Sequence, residues 1–177
     1  KVFVLDTKNT TYAFRVMESG HLEHIYYGER IEIDSHEDVL SLTEKQAFAP
    51  GNSTVYSDKY PGLSLENLRL EISSLGKSDI RDPFVELSHA DGSYTSDFLY
   101  SSAKIKEGKT PLVTLPSAYE DNGVVHELVV TLKDVGYGLT LELVYGVFED
   151  RDVITRSARL LNTSKESIRL SRLMSAL

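Results

Sequence analysis

Apolar side chains alternate with polar ones along the second half of the chain, and this period of two is the feature that most constrains the fold. In 125–133 the even-numbered Leu128, Val130 and Leu132 share one face, and in 139–147 the odd-numbered residues do so. Successive side chains on a strand point to opposite faces, so both segments are predicted to be half-buried strands. Turn sequences rich in Gly, Asp and Asn separate the strands, which predicts an antiparallel meander.

Candidate strands outnumber candidate helices in the rest of the chain as well. They cover 3–6, 12–17, 21–27, 64–72, 84–89 and 97–106. A short helix is predicted to begin at Ser35. Ser35 can act as the N-cap, and Asp38, three residues later, can complete a reciprocal capping interaction with it. An α/β sheet would need long helical crossovers. We therefore expect an all-β fold, a large antiparallel β-sandwich (a supersandwich) with one or two short helices.

Turn and loop sequences add detail to this expectation. Asp121-Asn122-Gly123 and Ala90-Asp91-Gly92-Ser93 each predict a hairpin that reverses the chain, because Asn-Gly and Asp-Gly tolerate the positive φ of a type I′ turn. Two irregular stretches, 48–62 and 109–122, hold four of the five prolines. Long loops on a rigid sandwich are where binding residues tend to lie.

Composition excludes several classes of protein. The 177 residues suit one domain with a sizeable core, and the formal charge of −8 leaves no broad basic surface for nucleic acid. No apolar run approaches the roughly 18 to 20 residues of a membrane helix. Zero Cys removes disulfides, thiolate zinc sites and Cys nucleophiles. The chain starts without Met and stops in an alternating pattern, so we expect a piece of a longer protein.

The motifs that could be catalytic or metal-binding are better explained by structural roles when they are considered without any family resemblance. His21 and His24 are three apart, and on a strand this spacing directs them to opposite faces, which disfavours a metal site. Gly-x-Ser-x-Gly and Gly-rich phosphate loops do not occur. Asp79 and Asp82 flank Arg81 in a charged loop, where a turn with an Asp–Arg pair is expected rather than a catalytic dyad.

The same loop carries a family resemblance. Gly76-Lys-Ser-Asp-Ile-Arg-Asp-Pro83 resembles the Gly-x-Gly-Asp-Phe-Arg-x-Pro stretch in the amino-terminal domain of bacterial α-galactosidases of glycoside hydrolase family 36. Ser78 and Ile80 depart from that pattern. Five other segments match in order, running through nearly all of the chain: 47–52, 64–71, 91–98, 115–119 and 152–162.

The resemblance implies a division of labour within a longer enzyme. Residues 1–177 would form the amino-terminal β-sandwich domain, and a (β/α)8 barrel with two catalytic aspartates would follow beyond Leu177. The segment itself would hold no catalytic residue, metal or other cofactor. Its partners would be its own barrel, a galactoside such as raffinose or melibiose bound through the parent enzyme, and further copies of the chain in a homotetramer. A cytoplasmic location is expected.

One loop is implied to reach the sugar. In the family an acidic residue shortly before an Ala-Phe-x-Pro turn approaches an active site in the oligomer, and matching Ala47-Phe48-Ala49-Pro50 without gaps places Lys45 there, with Glu44 beside it. Three alternatives follow. Either Glu44 contacts the sugar through a one-residue shift of the match, or Lys45 contacts a different group, or this branch of the family does without the contact. The alternative function is a stand-alone carbohydrate-binding or oligomerisation module, which the lack of Trp disfavours.

Overall fold

The computed structural model describes residues 1–43, 54–77, 79–119 and 124–175, which form nine strands, one α-helix and two single 3-10 turns. The strands are β1 (Val2–Asp6), β2 (Thr10–Val16), β3 (Leu22–Glu29), β4 (Val85–Ser88), β5 (Leu99–Glu107), β6 (Val125–Asp134), β7 (Leu139–Phe148), β8 (Val153–Asn162) and β9 (Arg169–Leu173). The helix is α1 (His36–Leu42), and the 3-10 turns are Leu65–Asn67 and Glu149–Arg151. No helix in these ranges has the length and apolar character to cross a membrane.

The strands form three antiparallel sheets. The first has the order β1-β2-β3, the second has the order β5-β6-β7-β8, and β4 pairs with β9. Strands β6, β7 and β8 pair in continuous register as the predicted meander. The all-β sandwich expected from the alternating pattern is confirmed.

One core lies between the first two sheets. It joins Phe3 and Phe14 of the first sheet to Leu132, Leu141 and other inward residues of the second. The faces predicted from the alternation are the buried ones, since the even-numbered residues of β6 and the odd-numbered residues of β7 are at most 5% exposed over their apolar stretches. Burial of these side chains supplies most of the driving force for folding, at roughly 25 cal/mol per Å² of apolar surface.

Helix α1 covers the outer face of the first sheet. Ser35 and Asp38 form the predicted capping box, in which the Asp38 N–H donates to Ser35 Oγ and the Ser35 N–H donates to the Asp38 carboxylate. Val39 packs on Ala13 and Ile25 of the sheet. The short helix predicted from this capping pattern is therefore confirmed.

The strand predicted at 64–72 is wrong. Leu65 and Leu68, three residues apart, are both buried, and a 3-10 turn at Leu65–Asn67 brings them to the same side. The chain then runs beside β3 only briefly, where the His24 N–H donates to Arg69 O and the Glu71 N–H donates to Leu22 O. The prediction of a strand failed because the buried residues here do not alternate. Leu65 and Leu68 are three apart, and Glu71, Ile72 and Ser73 are buried in succession.

The turn at 90–93 is confirmed, since Gly92 has a φ of 86° and its N–H donates to His89 O. The hairpin predicted at this turn is wrong, because the strand before it, β4, pairs with β9 and not with β5. The turn predicted at 121–123 lies outside the described residues.

Candidate functional site

An open cavity of about 750 Å³ lies where the first sheet, the 68–73 segment, the 81–84 segment and β8 meet. Three kinds of side chain line it. Its walls are apolar at Leu68, Leu70, Phe84 and Ile154, aromatic at Tyr12 and Tyr27, and polar or charged at His24, Arg69, Glu71, Ser73, Arg81, Asp82 and Arg156.

Glu71 is the centre of the polar part of this cavity. Its side chain is 1% exposed. Oε1 accepts hydrogen bonds from the hydroxyls of Tyr12 at 2.5 Å and Tyr145 at 2.7 Å, and Arg156 Nη1 lies 3.1 Å from it. Oε2 lies 3.2 Å from His24 Nδ1. Both carboxylate oxygens are therefore engaged by neighbours from β2, β3, β7 and β8.

These contacts keep the buried Glu71 ionised. Burial alone raises the pKa of its carboxyl, but the hydrogen bond from His24, the Arg156 charge and the two tyrosine hydroxyls together hold that pKa below its ordinary range. Burial and the adjacent carboxylate raise the pKa of Tyr12 and of Tyr145, so both hydroxyls stay protonated and donate. Glu71 is thus a fixed acceptor and not a proton donor at neutral pH.

Arg81 holds the 81–84 segment against the 65–68 segment at the cavity wall. Its Nε and Nη2 donate to the two oxygens of the buried Asp79 at 3.0 and 2.9 Å, and the same guanidinium donates to the carbonyls of Leu68 and Leu65. Asp82, by contrast, is 96% exposed and lies 3.4 Å from Arg172. The expected Asp–Arg pair is present, and the two aspartates differ too much in environment to act as a matched dyad.

The cavity does not offer the chemistry of glycoside hydrolysis. That reaction needs two carboxylates on either side of the scissile bond, one of them able to donate a proton. Here the buried carboxylate is Glu71, which is ionised and held by four neighbours, and Asp82 is open to solvent. The arrangement is suited to holding the surrounding segments in a fixed geometry.

The two histidines of the 21–24 segment have separate roles. His21 lies 2.9 Å from Ser19 Oγ and 3.1 Å from Asp97, whereas His24 faces Glu71. The strand spacing separates them as expected. Within the described ranges no three His, Asp or Glu side chains are grouped as metal ligands.

The predicted substrate-binding residues Lys45 and Glu44 lie outside the described residues, as do Ala47-Phe48-Ala49-Pro50. The chain enters this segment from α1, whose last turn is closed by the Thr43 N–H donating to Val39 O. Val39 packs on the first sheet, so the end of α1 is held against that sheet.

The sequence does not predict the roles of Glu71 and Arg156, although both residues lie in segments that carry the family resemblance. The available signal was weak. Glu71 interrupts an apolar pattern at Leu70-Glu71-Ile72, and Arg156 interrupts another in β8. A charged side chain in such a position is either exposed to solvent or buried beside a compensating partner, and the sequence does not distinguish these two cases.

Comparison with known proteins gives a consistent result. The family model described as the glycosyl hydrolase family 36 N-terminal domain matches residues 20–177. Among curated proteins, the bifunctional alpha-galactosidase/sucrose kinase AgaSK of Mediterraneibacter gnavus is 33% identical over 99% of this chain and 18% of its own length.

Solved structures agree with the sequence matches. The alpha-galactosidase from Lactobacillus brevis superposes with a TM-score of 0.87 at 33% identity, over 99% of this chain and 23% of its own. A variant of the alpha-galactosidase AgaA from Geobacillus stearothermophilus, in complex with stachyose, gives a TM-score of 0.90 at 29% identity, over 99% and 24%. The chain spans about a quarter or less of the length of these relatives.

Proposed function

The chain belongs to the family of glycosyl hydrolase family 36 N-terminal domains, and from this premise we propose that it is the non-catalytic amino-terminal domain of a retaining α-galactosidase. The observation that carries the proposal is that its relatives are alpha-galactosidases of which it matches only a quarter or less. The side chains around the described cavity include no matched pair of carboxylates, which is in keeping with a non-catalytic role for this chain.

The catalytic apparatus is assigned to a (β/α)8 barrel beyond Leu177. A retaining glycosidase needs one carboxylate to attack the anomeric carbon and a second to protonate the leaving oxygen and then activate water. In this proposal both aspartates belong to the barrel, residues 1–177 form one sandwich domain, and the substrate is a terminal α-galactoside of the raffinose or melibiose type.

A comparison of the chain with its parent tests this division. The 177-residue chain should give no turnover of a chromogenic α-galactoside, and the parent should hydrolyse it with retention at the anomeric carbon, read by NMR of the first product. Hydrolysis by the 177 residues alone, or inversion by the parent, would contradict the proposal.

We assign the contact between this domain and the sugar to the segment containing Lys45 and Glu44. The support is the family pattern at Ala47-Phe48-Ala49-Pro50, which places an acidic residue near the position of Lys45. In the parent enzyme, Lys45→Ala and Glu44→Ala are compared, with Lys8→Ala as a matched surface control. A raised KM in one variant identifies the residue that acts, and unchanged kinetics in both would remove the segment from the site.

A homotetramer in the cytoplasm is part of the same proposal. A segment that reaches a neighbouring active site needs a symmetric assembly to place it there. Light scattering of the parent should give four times the mass of one chain, and a monomer with full activity would contradict the assignment.

A stand-alone carbohydrate-binding module is the second candidate. It is favoured by Tyr27, which lines the cavity and is 63% exposed, since sugars stack on exposed aromatic rings. Calorimetry of the 177-residue chain with galactose separates the two functions. Tight binding would favour a module, and no heat would favour a scaffold.

A further inference from the structure

A second cavity, of about 550 Å³, lies where three turns of the chain meet. Its lining residues come from the turn after β4, from the turn between β6 and β7, and from the turn between β8 and β9. Small-molecule sites in proteins occupy roughly 300 to 1,000 Å³, so this cavity is large enough for a small ligand.

Hydrogen bonds hold the three turns together. The Tyr137 hydroxyl donates to Asp91 Oδ2 at 3.1 Å and joins the first turn to the second. The hydroxyl and the N–H of Thr163 both donate to Gly138 O and join the second turn to the third. Gly138 allows this close approach, since a Cβ there would lie 3.2 Å from Ser164 Cβ. The cavity is therefore formed before any ligand binds, which lowers the entropy cost of binding.

The charged side chains that line the cavity are Asp91 and Glu166, and both are acidic. Lys165 lies in the third turn but is not part of the lining. The two oxygens of Asp91 accept from the Ser93 N–H and from the Tyr137 hydroxyl, and these bonds hold the pKa of Asp91 below its ordinary value. Each oxygen keeps a second lone pair for a ligand. The Glu166 carboxylate is exposed and has no partner among the described residues.

His89 adds a third acceptor to the cavity. It is 6% exposed, and its Nε2 lies 3.1 Å from Thr95 O, which can only accept a hydrogen bond. Nε2 therefore carries the proton, and Nδ1 of the neutral ring is an acceptor. This Nδ1 is buried and has no donor among the described residues. An N–H group that enters the cavity would relieve the cost of leaving it unpaired.

An aromatic wall completes the cavity. The Tyr137 ring stacks on the His89 ring with their centroids 3.4 Å apart and their planes 12° from parallel, so its orientation is fixed. Ile168 adds an apolar side chain to the lining. An aromatic ring attracts a cation placed over its face, and an alkyl chain packs on the same apolar surface.

This set of groups selects the chemistry of the ligand. Two carboxylates repel an anion, and they attract a cation in a chain whose formal charge is already −8. A sugar needs donors for its own oxygens, but the lining contains no Arg, Lys, Asn or Gln side chain. An alkyl ammonium has three N–H donors and no acceptor, which matches a cavity that offers mainly acceptors.

We propose that this cavity binds a small aliphatic amine. Its ammonium group is held by Asp91 and Glu166 and donates an N–H to His89 Nδ1. Its alkyl part lies against Tyr137 and Ile168. This inference goes beyond the proposed function and does not depend on it, because every residue that carries it lies in the three turns of this chain.

Calorimetry of the intact parent enzyme with putrescine, a four-carbon diamine, tests the proposal. Glu166→Gln removes one charge from the cavity and should weaken the affinity about fivefold, the upper range for an exposed ion pair. Glu32→Gln is the matched control, because that carboxylate is also exposed, has no partner among the described residues and lies outside the cavity. The control should leave the affinity unchanged.

Two further measurements identify the chemistry and the place of binding. Butanediol, which has the length of putrescine but no charge, should give no heat of binding. Tyr137→Leu keeps an apolar side chain but removes the aromatic face, and should weaken putrescine binding about threefold or more. Equal melting temperatures of all variants show that the fold is kept.

Four results would each overturn the proposal. They are no binding of putrescine by the wild-type enzyme, equal affinities of Glu166→Gln and Glu32→Gln, binding of butanediol as strong as that of putrescine, and galactose binding that Glu166→Gln abolishes. The last result would assign the cavity to a sugar. None of these measurements uses hydrolysis, so an inactive parent that binds putrescine contradicts only the proposed function.

Discussion

At the scale of single residues, Glu71 is the side chain on which the most contacts depend. A buried carboxylate is costly unless charge and hydrogen bonds compensate it, and here two tyrosines, a histidine and Arg156 do so. Removing the carboxylate leaves the Arg156 charge buried without its counter-ion. The cost of such a change comes from the partner left behind more than from the bond that is lost.

Glu71→Gln should therefore destabilise the chain by about 3 to 5 kcal/mol at pH 7, measured by urea unfolding. Asp82→Asn is the matched control, because that carboxylate is 96% exposed and its contact with Arg172 lies at the surface. The control should barely change the unfolding midpoint. Similar midpoints for both variants would contradict the central role of Glu71.

The pH dependence of this contribution follows from the lowered pKa of Glu71. A carboxyl whose folded pKa lies below its unfolded value stabilises the fold above the unfolded value, about 4.5, and loses that contribution as pH falls through the folded pKa. The free-energy difference between the wild-type chain and Glu71→Gln should therefore shrink as pH falls below about 4.5. A difference that stays constant between pH 7 and pH 3 would contradict it.

At the scale of secondary-structure elements, β7 shows how far a sequence pattern reaches. Its odd-numbered residues form the face that the alternation predicts to be inward, and they are buried because the first sheet packs on that face. The 64–72 segment shows the limit. Its apolar residues suit a strand, but their burial is achieved by a 3-10 turn and a short bridge to β3.

Leu141→Asp tests the face assigned to β7. Leu141 is 0% exposed, so an unpaired carboxylate there should cost at least about 4 kcal/mol and lower the melting temperature strongly. Thr140→Asp places the same charge on the other, half-buried face and should cost much less. Comparable melting temperatures for the two variants would mean that the face is wrongly assigned.

At the scale of the whole molecule, the Glu71–Arg156 pair joins the two main sheets. Glu71 lies beside β3 of the first sheet and Arg156 lies on β8 of the second, and Tyr12 and Tyr145 reach the same carboxylate from either side. Apolar contacts in the core between the sheets are not directional, so they do not by themselves fix the relative placement of the sheets. The pair adds a specific contact that fixes how one sheet is placed on the other.

A double-mutant cycle between Glu71→Gln and Arg156→Met measures this connection. Each single change should destabilise the chain, and the double variant should be more stable than the sum of the two predicts, with a coupling energy of about 2 kcal/mol or more. Arg159→Met with Glu142→Gln is the control pair, because that ion pair lies within the second sheet and Arg159 is 68% exposed. Additive effects at Glu71 and Arg156 would show that the sheets are not linked there.

The sequence by itself determined the all-β class, the buried faces of β6 and β7, the capped helix at Ser35 and the membership of the family, because each is written in local spacing or in residues that follow one another. Tertiary structure alone decided that Glu71, Arg156 and Arg81 surround one cavity. These residues lie in separate segments of the chain, and local periodicity does not indicate which charged side chains come into contact. A charge can be buried only where hydrogen-bonding or oppositely charged side chains compensate it, and these side chains come together only when the sheets pack.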